Sequence, residues 1–302
     1  EVISKEKNLF YIKWNWKEFL FKSVDFCWIN WISWNSAVWL KISDDKELTY
    51  KILEKYNLPI AKTWYIQKNE INEIEKLDII FPVIIKPIEE WHWDWVMMNI
   101  LNIVELKEKL EKSFKKYDKM IIQKQITWDE YRIIVLKWEV ILAINRIPAS
   151  IIWNWKNSIK ELIEIENQSN PLRWNWYNEP LAYINTDNEL VDYIKKKWYN
   201  LDYKPKNKER LQIRSNSNIW TWWTMLDVTK ILSQDIIENT IKSANILWLE
   251  ICWVDVITND ITKSLSETWW IILEINSCPW IWWHRELTSV NVWEVILKKL
   301  FF

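Results

Sequence analysis

Three oxygen-bearing side chains, Asp255, Glu274 and Asn276, stand inside two apolar runs, "CWVDVIT" and "IILEINSCP". In a strand alternate residues share a face, so Glu274 and Asn276 point one way while Leu273 and Ile275 point into the opposite layer. Asp255, flanked by Val254 and Val256, has the same arrangement on the preceding run. If the two runs pair as a hairpin, two carboxylates and an amide oxygen converge. That donor set suits Mg²⁺, which takes oxygen ligands and keeps room for phosphate and water. One acid in a strand is usually a solvated side chain; three oxygen donors in otherwise apolar strands fit that explanation poorly.

A second stretch, "VIIKPIEEWHWDWV", ends an apolar strand on Lys86. An ammonium there is costly to bury unless it meets an anion. The loop behind it, residues 89–95, carries Glu89, His92, Asp94 and three tryptophans. It has no Gly-Lys-Ser/Thr ending and opens no helix, so it is neither a P-loop nor a dinucleotide-binding turn. With glycine in place of tryptophan it becomes a flexible loop whose backbone N–H groups can fold over phosphates.

That substitution is a general question for this chain, which has no Gly and 28 Trp. A protein of this size ordinarily has roughly 21 glycines. The tryptophans keep glycine's usual company, beside Asn, Asp or Lys between apolar runs, as in "IWNWKNS", "RWNWYN" and "VLKWEVI". Such positions call for positive φ, which a residue with a Cβ resists. The expectation is therefore that each tryptophan stands where the backbone wants glycine, as when UGA codons for glycine are read as tryptophan. The competing reading is a Trp-rich surface for glycans or membranes, but the spacing follows turns rather than one face of any element.

The elements that must position these residues follow from pattern. Strands are expected at "LFYIK", "EFLFK", "IIFPVIIKPI", "VMMNI" and "KMIIQKQI", with a hairpin through Lys137-Trp138-Glu139. Helices are expected from an N-cap at Ser43 or Asp44 to Pro59, then at "NIVELKEKLEKSFKKY", "IKELIEIENQ", "ELVDYIKKKW", "SQDIIENTIKSANILW" and "NVWEVILKKLFF". The fold class is α+β. The expected division is an N-terminal segment, 1–43, a small lobe, 44–126, and a large lobe, 127–302. A start at Glu1 rather than Met leads us to expect an upstream portion.

Lys and Arg number 40 against 41 Asp and Glu, so no basic field points to nucleic acid. No 18-residue apolar run or signal peptide points to a membrane. Cys27, Cys252 and Cys278 form no CxxC and no disulfide framework, which favours a reducing cytoplasm.

Over about residues 40–302 the chain resembles the ATP-grasp ligases, in particular the ATP-grasp regions of cyanophycin synthetase and bifunctional glutathione synthetases. The resemblance rests on "SDDKELTYKILEKYNLPIAK", "FPVIIKPIEEWHWDWV", "NRIPASIIWNWKNSIKELIEIEN", "NPLRWNW", "RSNSNIWTWWTMLDVT", "CWVDVIT" and "LEINSCPWIWWH". It implies the ATP-grasp fold, two α+β lobes with ATP between them. It implies Lys46 and Lys86 as nucleotide-binding lysines, with Glu89 and His92 in the loop over the triphosphate. Gln123 and the backbone at Gln125 and Ile126 would read the adenine. Asp255, Glu274 and Asn276 would hold Mg²⁺, or Mn²⁺ in its place, and Arg146 and Arg214 would fork onto phosphate or carboxylate. The implied reaction joins the carboxylate of an amino acid or peptide to an amine through an acyl phosphate. Asp94 departs from the basic residue of the cyanophycin-type loop, and Arg173 is equally suited to substrate or solvent. The resemblance does not extend to a Mur-ligase-like domain, so repetitive arginine addition is not implied. A non-catalytic nucleotide-binding module is the alternative, and monomer and oligomer stay open.

The gene tests the glycine reading. GGN or UGA codons are expected at the tryptophan positions, and UGG codons throughout would end it.

Overall fold

Six helices begin on a residue whose side chain accepts the N–H three residues on, so local sequence sets their starts. In the computed structural model, which describes residues 2–4, 9–14, 17–22, 35–88, 96–174, 181–204, 210–214, 224–277, 288 and 290–301, these caps are Ser36, Asp45, Asn102, Ser158, Asp187 and Ser233. They open α1 (Ala37–Asp44), α2 (Lys46–Lys55), α3 (Ile103–Ser113), α4 (Ile159–Ser169), α5 (Asn188–Lys196) and α6 (Gln234–Ile246). α7 spans Val292–Phe301. The helix expected from Ser43 or Asp44 starts one step later. Ser43 and Asp44 finish α1, and Asp45 caps α2 through Leu48 N–H at 3.0 Å.

Strands β1 (Val2–Ser4), β2 (Leu9–Trp14) and β3 (Lys17–Lys22) form an antiparallel sheet in that order. A second sheet has the order β4-β7-β5-β6, built from β4 (Thr63–Gln67), β5 (Val83–Pro87), β6 (Met97–Ile100) and β7 (Lys119–Lys124). β4 is absent from the sequence expectation. One face of this sheet, with Val83, Ile85, Met120 and Ile122, packs on Leu106, Leu110 and Phe114 of the α3 region. Its other face presents Lys86, which pairs across with Ile121, and Gln123 two residues on.

The third sheet has five strands. Its strands are β8 (Asp129–Leu136), β9 (Glu139–Ile147), β14 (Thr224–Asp227), β15 (Ile251–Thr258) and β16 (Trp270–Asn276), in the order β14-β9-β8-β15-β16. Between β9 and β14 lie β10 (Ser150–Ile152), β11 (Arg173–Trp174), β12 (Leu181–Ala182) and β13 (Arg210–Gln212), which form two small sheets; β10 and β13, with α4 and α5, build a core of their own. α6 covers one face of the large sheet: Ile236, Ala244 and Leu247 are buried with Cys252, Val254, Val256 and Ile272. Tyr50, Leu53 and Leu58, from α2 and its exit, join that same core.

The backbone shows where glycine geometry is required. Seven described residues have positive φ, and four are tryptophans: Trp138, Trp155, Trp198 and Trp248. Trp138, with Lys137, forms the two-residue β8–β9 turn, both at positive φ as a type I′ turn demands. Trp198 and Trp248 each follow a helix in a Schellman cap. Trp198 N–H donates to Lys195 O and Tyr199 N–H to Ile194 O; Trp248 N–H donates to Asn245 O and Leu249 N–H to Ala244 O. Asn57 fills the same place after α2. The two cap indoles remain largely in solvent, Trp198 at 95% exposure and Trp248 at 66%, so packing offers little return for the strain there. Trp153 and Trp253 bury indole N–H groups that have no partner among the described residues. Trp270 behaves otherwise: it is fully buried and its Nε1–H donates to Asp235 at 3.1 Å, as an integral core residue does.

Replacing Trp138, Trp198 or Trp248 singly with Gly is expected to raise stability by about 1 kcal/mol, because the left-handed conformation carries a Cβ penalty that glycine lacks. Trp270→Gly is expected to lower it by about 3–5 kcal/mol. Urea unfolding midpoints of the four variants check both signs.

Candidate active site

Asp255 is a buried carboxylate, and its charge is met from two neighbouring strands. β15 pairs antiparallel with β8 so that Asp255 faces Arg132, and β8 pairs with β9 so that Glu130 faces Arg146. Cross-strand partners share a face, so all four charges lie on one side of the sheet. Arg132 is bidentate, with Nε 2.8 Å from Oδ1 and Nη2 2.9 Å from Oδ2. Arg146 adds Nη1 to Oδ2 at 3.1 Å and reaches Glu130 at 3.3 Å. Burial pushes the Asp255 carboxyl upward, but the two guanidiniums outweigh it and hold the group below the usual carboxylate range. Arg132 also lies 3.5 Å from the centre of the Trp253 ring. Arg132 is not among the residues singled out from sequence. Its signal was present: a guanidinium in the strand-like "EYRIIVL" needs a buried partner.

Glu274 faces Asp255 across the β15–β16 pair, but the pairing shifts at the next step, where Val256 meets Ile272. Leu273 is therefore an extra residue, a β-bulge. The bulge changes which side chains share a face. Trp270, Ile272 and Ile275 enter the core under α6, whereas Leu273 packs with Ala61, Ile257 and Ile271. The expectation that Leu273 and Ile275 share one layer thus fails. The bulge reverses the alternation, and Glu274 and Asn276 come onto the face of Asp255 instead of following Trp270 and Ile272 into the core.

Two lysines approach from the other side. Lys46, on the first turn of α2, lies 3.9 Å from Glu274. Burial lowers its pKa from the ordinary value, with Glu274 opposing and Lys86 reinforcing the shift. Lys86, from β5, is also buried and donates to Tyr50 Oη at 3.0 Å. No described trio of His, Cys, Asp or Glu could hold a metal. The oxygen set is instead two carboxylates with Asn276, which fits Mg²⁺. A carboxylate has about four lone-pair positions, and the arginines occupy three on Asp255, leaving one on Oδ1.

Gln123 is buried; its Nε2 donates to Thr63 at 3.1 Å, and its Oε1 has no partner among the described residues. Gln125 bonds Asn99 through both ends of its amide. Its N–H donates to Pro82 O at 3.0 Å, so a base would meet its carbonyl instead. Ile126 lies half-buried beside the Leu273 cluster. Arg214 is tied to the insert between β9 and β14 by Asp187, the N-cap of α5, and by the carbonyl of Asn185. Arg173 pairs with Glu166 at 2.8 Å. Glu89, His92 and Asp94 lie outside the described residues, as do residues 215–223 and 278–287.

No protein-family model matches the chain. Cyanophycin synthetase of Crocosphaera subtropica is 27% identical over 268 residues, covering 87% of this chain and 31% of that protein. The bifunctional glutathione biosynthesis protein of Clostridium perfringens is 31% identical over 175 residues, 58% of this chain and 22% of that one. The chain thus spans less than a third of the length of these relatives. A crystal structure of a bifunctional glutathione synthetase from Pasteurella multocida superposes over 100% of this chain and 41% of its own, with a TM-score of 0.73 and 21% identity. The ATP-grasp ligase PsnB with its minimal precursor gives 0.51 over 88% of this chain and 63% of its own, at 12% identity. The fold is the ATP-grasp fold.

Arg132→Met is expected to destabilise the chain by about 3 kcal/mol, because half-stripping a buried carboxylate leaves charge uncompensated. Urea denaturation measures it; a loss below about 1 kcal/mol, the level of an ordinary substitution, would mean Asp255 does not depend on this pair.

Proposed function

We propose that this ATP-grasp chain is an ATP-dependent carboxylate–amine ligase that forms an amide bond through an acyl phosphate. The observation that carries the reading is the meeting of Asp255, Glu274 and Asn276 on one face with Lys46 and Lys86 opposite them. Two lysines and two arginines around two carboxylates make a site for polyanionic phosphate in the presence of a divalent cation.

Asp255, Glu274 and Asn276 would hold Mg²⁺, which when bound supplies charge neutralisation at the phosphates. Lys46 and Lys86 would bind phosphate oxygens, their flexible stems delivering compact positive charge. Arg146, whose guanidinium already touches Asp255 and Glu130, would orient the acceptor carboxylate or the transferred phosphoryl group. In the reaction, a carboxylate oxygen of the substrate attacks the γ-phosphorus and ADP leaves with the bridging electron pair. An amine nitrogen then attacks the acyl carbon, inorganic phosphate leaves, and the nitrogen loses a proton. Catalysis here is positioning and charge stabilisation rather than covalent work by the protein. Gln123 and the Gln125–Ile126 backbone would meet the adenine, and Arg214 would serve a substrate carboxylate. The relatives support amino acids or peptides as substrates. No described helix is long and apolar enough to cross a membrane, and the described cysteine, Cys252, is a buried free thiol. Both suit a cytoplasmic enzyme.

The test is Mg²⁺-dependent ADP release in a screen of amino acids and dipeptides, run on the chain as written and with glycine at its tryptophan positions. Asp255→Ala and Glu274→Ala are expected to abolish release in the active form, because each removes an anionic metal ligand. Full activity in both variants would overturn the assignment, and nucleotide binding without turnover on any acid–amine pair would favour the non-catalytic module.

A further inference from the structure

The ammonium of Lys86 does not stand alone against the large sheet. Its Nζ donates to Tyr50 Oη at 3.0 Å, and Tyr50 Oη in turn donates to the carbonyl of Leu273. Tyr50 is 2% exposed, and the Lys86 ammonium lies 5.3 Å from its ring centre. Leu273 is the bulged residue of β16, whose backbone leaves the regular ladder with β15. A part-buried carbonyl displaced in this way gains from another donor, and the phenol supplies one. The chain of contacts therefore runs from β5 of the small sheet, through α2, to the residue immediately before Glu274.

The helix presents two groups to this cleft with one turn between them. Lys46 and Tyr50 are four residues apart and so share a face. Lys46 reaches Glu274 itself, and Tyr50 reaches the carbonyl beside it. One residue after Lys46 on the same helix, Glu47 binds Lys119 of β7, so α2 is tied to both strands that carry the Lys86–Ile121 pair.

We infer that Tyr50 is a positioning residue for Lys86: its phenol couples the phosphate-facing ammonium to the bulge that aims Glu274. The inference rests on the reading of Lys86 as a phosphate-binding lysine. An unanchored lysine carries about 2 kcal/mol of rotamer entropy that must be lost on meeting a phosphate. Tyr50 removes part of that freedom beforehand, and it links the position of the cation to the strand that carries the metal-ligand set. The phenol acts through Lys86.

Tyr50→Phe keeps the ring and its packing and deletes the two hydrogen bonds. In the full chain with Mg²⁺, calorimetric titration is expected to show ATP binding weakened about tenfold, the scale of one charged hydrogen bond. AMP binding should change less than about twofold, because it lacks the phosphates that Lys86 faces. In a Lys86→Met background the added Tyr50→Phe should weaken ATP binding by well under tenfold, since the group it positions is gone. Without nucleotide, labelling of Lys86 by acetic anhydride, read by mass spectrometry against exposed Lys112, should rise in Tyr50→Phe. Equal loss for ATP and AMP, additivity with Lys86→Met, or unchanged Lys86 labelling would overturn the inference. If Lys86→Met weakens ATP binding and Tyr50→Phe does not, the ligase reading stands and the inference alone falls. If Lys86→Met itself changes nothing, the phosphate role of Lys86 fails and the inference with it.

Discussion

The charge on Asp255 is the constraint on which the large sheet is organised. A carboxylate buried to 2% exposure is tolerable only if its desolvation is offset by fixed cations, and the offset here comes from strands distant in sequence. Arg132 arrives from β8 at the facing position, and Arg146 arrives from β9 one strand beyond. A one-residue slip in either pairing would turn an arginine into the apolar layer under α6 and leave the aspartate uncompensated. Register, burial of Val254 and Val256, and the charge pattern of the cleft are thus a single solution.

The second organising feature is the bulge at Leu273. β16 begins with its even-numbered residues in the core and ends with Glu274 and Asn276 outside it. A regular strand cannot do both, because its faces alternate without exception. The extra residue reverses the alternation at the point where the site begins. It leaves a displaced carbonyl, and α2 supplies the donor that satisfies it. α2 packs into the core of the five-stranded sheet through Leu53 while touching the four-stranded sheet through Glu47 and Tyr50, so it joins the two sheets.

The tryptophans read as two populations. At the β8–β9 turn and after α5 and α6 they occupy left-handed backbone, the two helix-cap rings largely in water, where the hydrogen bonds of the turn or cap, not the side chain, define the conformation. Asn57, in the equivalent place after α2, is a residue that tolerates that conformation. Trp270 fills the core and bonds Asp235, so its ring is integral to the packing. Trp253, buried beside Arg132 with its N–H unpaired among the described residues, gives the arginine a π-face and leaves its own donor unsatisfied.

Much of this was legible in the chain itself. Caps such as Asn102, Ser158 and Ser233, the β-branched strands, the Lys137–Trp138 turn and the mismatch of tryptophan with turn geometry are local, because each depends on a residue and its near neighbours. Asp255, Glu274 and Asn276 were legible too, since oxygen donors in apolar strands need a reason. The α+β class followed from the order of elements, and the ATP-grasp relation from seven short stretches rather than from periodicity. What sequence alone left undecided depends on contacts across long separations. Arg132 gained its role only when β8 lay beside β15, and the cap of α2 moved to Asp45 because α1 runs up to it. Leu273 parted from Ile275 because a bulge has no periodic signature. Tyr50, one apolar-looking residue on a helical stripe, became a link between sheets because β5 and β16 converge on it. Local propensity determines elements; only their packing decides which buried charge meets which.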